Sequence, residues 1–71
     1  MTLGKALEIS NANLVVRVVD TNSWVEKIAP EEAYKSLLDR DVVYITVDDH
    51  RLVLEVDKQD GDDWWEEAET V

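Results

Sequence analysis

The amino-acid sequence predicts a small α+β domain, in which two β-hairpins form an antiparallel sheet and one helix packs on it in the order ββ-α-ββ. Three observations predict this fold: two pairs of β-branched segments, a helical stripe between the pairs, and a length of 71 residues, which suits one domain. Hydrophobic residues make up 45% of the chain, too many for a disordered polypeptide. We expect a single domain over residues 1–57, followed by an acidic, Trp-containing C-terminal tail over residues 58–71.

The first hairpin is predicted from two segments on either side of a turn. Leu14–Asp20 is rich in valine, and Leu7–Ile9 alternates apolar and polar residues. A two-residue loop at Asn11-Ala12 would place Ile9 opposite Leu14. We therefore expect the chain to open with two antiparallel strands.

A helix is predicted between the hairpins. Pro30 suits the first position of a helix, and Glu31 and Glu32 favour the positive end of its dipole. The apolar stripe has i, i+4 spacing and consists of Ala33, Tyr34, Leu37 and Leu38. Upstream, Ser23 and Glu26 match a capping box, which predicts a short helical turn there.

The second hairpin is predicted from the runs 42–47 and 52–56, which flank a turn at Asp49-His50. That turn pairs Val47 with Leu52, Ile45 with Leu54 and Val43 with Val56. These six side chains would then share one face of the sheet. A one-residue slip would scramble the pattern, so the pattern itself specifies the register.

The net charge of the chain indicates which kinds of partner it can bind. The sequence has 17 acidic and 7 basic residues, a net charge of -10. Such a surface repels nucleic-acid phosphates and anionic lipid, and it attracts basic proteins. We expect no direct binding of nucleic acid or membrane. A basic protein surface is the expected partner, and a homodimer stays open.

Catalysis is not expected. The only histidine, His50, falls in the tip of a predicted turn, there is no cysteine, and the chain has two glycines, too few for a phosphate-binding loop. The acidic loop around Gly61 fails as an EF-hand, because Val56 and Lys58 would occupy ligand positions. We therefore expect neither a cofactor nor a metal.

The N-terminal residues 1–5 lack a continuous apolar run. This favours a chain without a signal peptide or membrane span. A secreted domain of this size would usually contain disulfides, and this sequence has no cysteine. We expect a cytoplasmic protein.

The acidic residues concentrate in the C-terminal part, where residues 57–71 hold seven acidic residues and one basic residue. Carboxylates can take the place of phosphates in a basic groove, and an adjacent aromatic ring can imitate a stacked base. This predicts an inhibitor or decoy for a nucleic-acid enzyme, a class to which small acidic phage proteins, anti-CRISPR proteins among them, belong. The candidate partner-binding residues are Asp48, Asp49, Asp60, Asp62, Asp63, Trp64, Trp65, Glu66 and Glu67.

Two alternatives stay open. Adjacent residues point to different faces of a strand or helix, so Trp64 and Trp65 cannot readily enter the same small core. One of them, or Trp24, is a candidate anchor through which the protein would join a larger complex as an adaptor subunit or form a homodimer. In the second alternative, the acidity is an adaptation to high salt. Proteins adapted to high salt are poor in lysine, however, and here lysines outnumber arginines.

The run from Arg51 to Trp65 resembles the strand, acidic loop and Trp pair of SH3 domains. The resemblance covers a fifth of the chain. The tyrosine-rich motif with which SH3 domains open, and the strands that follow their Trp pair, are missing from this sequence. A helix is also predicted between the two hairpins. The resemblance implies that Trp64, the first residue of the pair, belongs to a peptide-binding surface.

Overall fold

A computed structural model describes residues 1–10 and 13–68. The four strands form one sheet in the order β2-β1-β4-β3, in which β1 and β4 are parallel and the other neighbours are antiparallel. The fold is therefore α+β, as predicted, but the sheet is mixed and not antiparallel throughout. The elements in chain order are α1 (Leu3–Ile9), β1 (Leu14–Asp20), β2 (Val25–Ile28), a 3₁₀ turn (Glu31–Ala33) continuing into α2 (Tyr34–Leu37), β3 (Val42–Asp48), β4 (Arg51–Asp57) and a 3₁₀ helix (Asp63–Glu67).

The predicted first hairpin is wrong, because the segment assigned to its first strand is helix α1. The Thr2 side chain caps this helix by accepting a hydrogen bond from the Lys5 amide at 3.3 Å. Leu3 and Ala6, three residues apart, are both buried, which is the spacing of a helix face. The predicted loop at Asn11-Ala12 lies outside the described residues. The chain thus begins with a helix, and the order ββ-α-ββ is not confirmed.

Helix α1 is attached to the loop that precedes β3. The Leu3 amide donates to the Arg40 carbonyl at 2.8 Å, and the Gly4 amide donates to the Leu38 carbonyl at 2.9 Å. A Cβ atom on Gly4 would come within 3.2 Å of that Leu38 oxygen. The close approach of the two backbones therefore favours glycine here, since a larger residue would push the Leu38 backbone away by a few tenths of an ångström.

The observed first hairpin joins β1 and β2, with Arg17 opposite Ile28 and Asp20 opposite Val25. Its turn is organised by Asp20, whose carboxylate accepts from the Asn22 amide at 3.0 Å and whose carbonyl accepts from the Trp24 amide at 2.7 Å. The helical turn predicted at Ser23–Glu26 is wrong, because pairing with β1 draws this stretch into the sheet.

The second hairpin is largely as predicted. Val47 lies opposite Leu52 and Ile45 opposite Leu54. Asp49 and His50 form the turn with φ of 52° and 63°, the conformation of a type I′ turn. The predicted pairing of Val43 is wrong, because an irregularity after Val42 makes Val42 the partner of Val56.

The helices cover one face of the sheet. Alternate residues of β1 and β4 face them and form the core with helix residues and one indole. The core cluster comprises Leu3, Ala6, Val16, Val18, Ala29, Leu37, Leu54, Val56 and Trp65. On the opposite face, Arg17 and Glu55 form an ion pair with 3.0 Å between nitrogen and oxygen. The fold therefore has two layers.

The C-terminal segment, residues 58–68, packs on the domain instead of extending from it. Trp65 is 8% exposed and belongs to the core cluster. The Lys27 ammonium donates to the Trp65 carbonyl at 2.7 Å and lies 4.9 Å from the centre of its ring, and Lys58 lies 5.6 Å from that centre. The boundary predicted at residue 57 thus separates β4 from a segment that shares its core.

A buried ion pair fastens this segment to the loop before β3. Two nitrogens of Arg40 donate to the two carboxylate oxygens of Asp62 at 2.7 and 2.5 Å, and the Gln59 amide donates to Asp62 at 3.1 Å. The side chains are 10% and 1% exposed. Burial alone would raise the pKa of Asp62, but these hydrogen bonds and the charges of Arg40 and Lys58 lower the pKa below its ordinary value of 3.8.

Asp62→Asn is expected to destabilise the protein by about 3–5 kcal/mol, because it leaves the Arg40 charge buried without its partner. A chain of this size has a total stability of about 4–10 kcal/mol, so the variant should be close to unfolding. Asp60→Asn, at an exposed position two residues away, is the matched control and should change stability by less than about 0.5 kcal/mol. Urea unfolding followed by circular dichroism measures both, and equal midpoints would contradict the role of the pair.

The stabilisation from Asp62 should depend on pH. Its pKa is lower in the folded than in the unfolded chain, so the unfolded chain binds the proton more readily. The stabilisation is therefore complete well above pH 3.8 and is lost as the pH falls through the folded pKa. Urea midpoints of the wild type and Asp62→Asn, measured from pH 6 to pH 2.5, should differ most at pH 6 and converge at the acid end.

Candidate protein-binding surface

The residues predicted to bind a partner do not form one patch. Asp60, Asp63, Glu66 and Glu67 are exposed on the C-terminal segment, which follows β4. Asp48 and Asp49 are also exposed, but they lie in the turn before β4. The seven residues of β4 separate the two groups by about 20 Å, at about 3.3 Å per residue. A partner that meets both groups would therefore have to cover the surface between them as well.

Two of the predicted contact residues lie inside the protein. Asp62 is buried and pairs with Arg40, and Trp65 fills the core beside Lys27. Their physical role is to hold the C-terminal segment in place. They position the neighbouring acidic side chains and do not offer a surface themselves.

Trp64 is half-buried and packs edge-on against Trp65, with 5.9 Å between the ring centres. Its indole nitrogen is buried and has no hydrogen-bond partner among the residues that the structure describes. Trp64 also lines an open groove of about 280 Å³, and Gly61, whose φ is 99°, turns the chain beside it. The other residues of the groove are Pro30, Glu32, Ala33, Ser36 and Asp63.

The largest group of exposed carboxylates lies at one end of the sheet, which we call the acidic end. Strands β1 and β4 are parallel and finish there, and β3 begins there because Val42 lies opposite Val56. The C-terminal segment continues from the same end, since the Lys58 amide donates to the Val19 carbonyl at 2.7 Å. The exposed carboxylates of the acidic end are Asp39, Asp41, Asp57, Asp60 and Asp63.

The basic residues nearest to these carboxylates point inward. Arg40 is engaged with Asp62, and Lys27 and Lys58 are engaged with Trp65. Arg40 is neutralised by Asp62, whereas Lys27 and Lys58 keep their positive charges beside Trp65. The five exposed carboxylates outnumber these two lysines, so the acidic end carries a net negative potential.

Trp24 projects from the same end of the sheet. It closes the turn between β1 and β2, next to Val25, which pairs with Asp20. Its side chain is 78% exposed and its φ is 57°, in the left-handed region. A bulky L-residue pays roughly 1–2 kcal/mol for this conformation. An exposed indole on a strained turn, at the same end of the sheet as these carboxylates, is the pattern expected of a contact residue and not of a core residue.

No family model, no curated protein and no solved structure matches this chain significantly. Within residues 1–10 and 13–68, no three His, Asp or Glu side chains are grouped so that they could hold a metal ion. The helices in this part of the chain are too short and too polar to cross a bilayer. The features that bear on function are thus the exposed carboxylates of the acidic end and the exposed ring of Trp24.

Sequence reasoning missed three residues of this surface. Asp39, Asp41 and Asp57 are dispersed along the chain and reach the same end of the sheet only because three strand ends coincide. Trp24 was predicted as a candidate anchor for an adaptor or a homodimer, without a position in the fold. The valine-rich strand β1, the turn residues Thr21-Asn22 and the short run Val25–Ile28 together indicate a hairpin, and that signal would have placed Trp24 at its tip.

Trp24→Asn is expected to raise the free energy of unfolding by roughly 0.5–1 kcal/mol, because asparagine tolerates a positive φ better than tryptophan does. Trp24→Phe keeps both the bulk and the unfavourable φ, and should leave stability unchanged within about 0.5 kcal/mol. Urea unfolding of both variants measures the effect. A loss of stability in Trp24→Asn would show that the indole stabilises the fold.

Proposed function

We propose that this protein is a non-enzymatic inhibitor or decoy, which binds a basic protein surface that otherwise holds nucleic acid. The carboxylates of the acidic end take the place of phosphates, and Trp24 takes the place of a stacked base. The partner is a nucleic-acid enzyme or complex of the kind that phage inhibitors block, and the proposed location is the cytoplasm, where such enzymes act.

One observation carries this proposal: the carboxylates of the acidic end are exposed, while Arg40, Lys27 and Lys58 contact groups within the fold. Arg40 is already balanced by Asp62, so only the two lysines offset the exposed acids. Exposed carboxylates in such a cluster repel one another, so the fold gains nothing from their proximity. A basic partner would remove the repulsion by forming charge-assisted hydrogen bonds to arginine and lysine.

Trp24 supports mimicry of nucleic acid over simple attraction between charges. Its exposed ring stands at the same sheet end as Asp57, which is reached through the pairing of Val19 with Asp57. Proteins that bind single strands combine a basic groove with stacking platforms for bases. A ring adjacent to carboxylates reproduces both parts of such a ligand.

The test is affinity capture from host lysate with immobilised protein, followed by elution with duplex or single-stranded DNA. Proteins that normally bind nucleic acid should be captured and then displaced by the DNA. Raising the salt from 50 to 300 mM should reduce capture at least tenfold, because the contacts are ionic and exposed. Capture that is unchanged by both salt and DNA would refute the proposal.

Two triple variants locate the surface. Asp57→Asn, Asp60→Asn, Asp63→Asn removes three charges from the acidic end and should reduce affinity for the captured partner at least tenfold. Glu8→Gln, Asp48→Asn, Asp49→Asn removes three charges elsewhere and should keep most of it. Equal losses of affinity in the two variants would show that binding depends on the total charge of the protein and that the acidic end has no special role. Trp24→Ala at constant charge should weaken binding by about 1–3 kcal/mol if the ring replaces a base.

A further inference from the structure

Strand β3 forms an unprotected edge of the sheet. It is the last strand in the order β2-β1-β4-β3, so every second residue directs its backbone N–H and C=O away from β4. Thr2 pairs with Asp41 just before the strand begins. The Val42 amide also donates to the Met1 carbonyl at 2.8 Å, so the first residue of the strand is already paired. Along residues 43–48 no pairing partner is found on the outer side among the described residues. The outer backbone of this part of β3 is thus available to another strand.

The side chains of β3 are apolar and exposed on both faces of the sheet. Ile45 and Val47 share the face of the helices, since they lie opposite Leu54 and Leu52, and Tyr44 shares the other face with Glu55. Tyr44 is 57% exposed, Ile45 51% and Val47 69%. From residue 42 to residue 47 the strand has no charged side chain. An added strand would therefore find apolar neighbours on both of its faces.

The opposite edge of the sheet is built differently. Strand β2 has four residues, and two of them, Glu26 and Lys27, are charged. Short edge strands with charged residues discourage pairing with other chains. Strand β3 has seven residues, and the irregularity after Val42 affects only its first part. The two edges differ in length and in charge, and only β3 is suited to receive a strand.

We infer that β3 binds an extended segment of a partner protein as a fifth strand, and that this segment has an apolar centre and basic residues at both ends. The choice of partner follows from charge. The apolar stretch of β3 is flanked by Asp41 on one side and by Asp48 and Asp49 on the other, all exposed. Because Met1 and Thr2 already pair with residues 41–42, the incoming strand would pair along residues 43–48. Long lysine or arginine side chains at its two ends would then reach these carboxylates.

A second copy of this chain fits the same edge poorly. Antiparallel pairing of two β3 strands about a two-fold axis brings Asp41 of one copy towards Asp48 of the other, and like charges facing each other destabilise a sheet. Each copy also has a net charge of -10. The inferred strand site goes beyond the proposed function, because it uses the edge of β3, shares only Asp41 with the acidic end, and holds whether or not that end mimics nucleic acid.

The probe is a synthetic peptide with two lysines at each end of a Val-Thr-Val-Thr-Val centre, capped at both termini. Binding should slow hydrogen exchange of the outward-facing β3 amides and shift their ¹H–¹⁵N resonances, with little change in β2. A peptide with glutamates in place of the lysines should bind at least tenfold more weakly. So should a peptide whose alternate backbone nitrogens are methylated, because it cannot complete the ladder. Unchanged β3 amides in the presence of saturating lysine peptide would overturn the inference.

Three protein variants complete the test. Val47→Lys places a charge on the exposed edge and should weaken peptide binding at least tenfold, while Ile28→Lys, on the opposite edge strand, should leave it unchanged. The variant Asp57→Asn, Asp60→Asn, Asp63→Asn should still bind the peptide, which separates this site from the acidic end. Sedimentation equilibrium is run in parallel. A wild-type dimer that Val47→Lys converts to a monomer would identify the second copy as the occupant and overturn the inference.

Discussion

The arrangement of both chain ends depends on Arg40. Its carbonyl accepts a hydrogen bond from the amide of Leu3, which begins α1, and its guanidinium holds Asp62, which immediately precedes the C-terminal 3₁₀ helix. A buried ion pair loses its hydration, so it persists only where its geometry is good and its remaining hydrogen bonds are made. The bidentate contact and the Gln59 amide meet that condition. One residue thus orients the helix at one terminus and the acidic segment at the other.

The placement of the basic residues also determines the charge of the surface. A chain with 7 basic residues and 17 acidic ones has few positive groups to distribute. Arg17, Lys27, Arg40 and Lys58 all contact groups within the fold. The exposed bases, Lys5, Lys35 and Arg51, belong to α1, α2 and the start of β4. The negative potential of the acidic end is therefore a consequence of how the core is assembled, as well as of composition.

The sequence predicted the parts of the fold in which local pattern and tertiary structure agree. The β3–β4 hairpin is one such part, because alternation and turn chemistry at Asp49-His50 point to the same register. Leu7–Ile9 shows the opposite case. Three residues of alternating polarity fit a strand, but Thr2 caps a helix over this segment. That helix is held by the packing of Leu3 and Ala6 in the core and by backbone hydrogen bonds to Leu38 and Arg40.

The candidate site was harder to predict than the fold. Asp62 stands in an acidic run beside Gly61 and is indistinguishable by sequence from its exposed neighbours. Its partner, Arg40, lies 22 residues away, and no local signal joins them. Likewise, the positive φ that exposes Trp24 results from the Asp20 turn and from the pairing of β2 with β1. Burial and exposure here are decided by contacts between distant segments.

The central pairing of β1 with β4 governs how the chain folds. Each hairpin is local and closes in microseconds, but Arg17 and Glu55, which face each other across the parallel pair, are 38 residues apart. Joining them closes a long loop, whose entropy is lost before the contacts between Val16 and Leu54 compensate for it. The rate-limiting step should therefore be the docking of two preformed hairpins. Residues along this seam then set the folding speed, and residues on the outer strands mainly set the rate of unfolding.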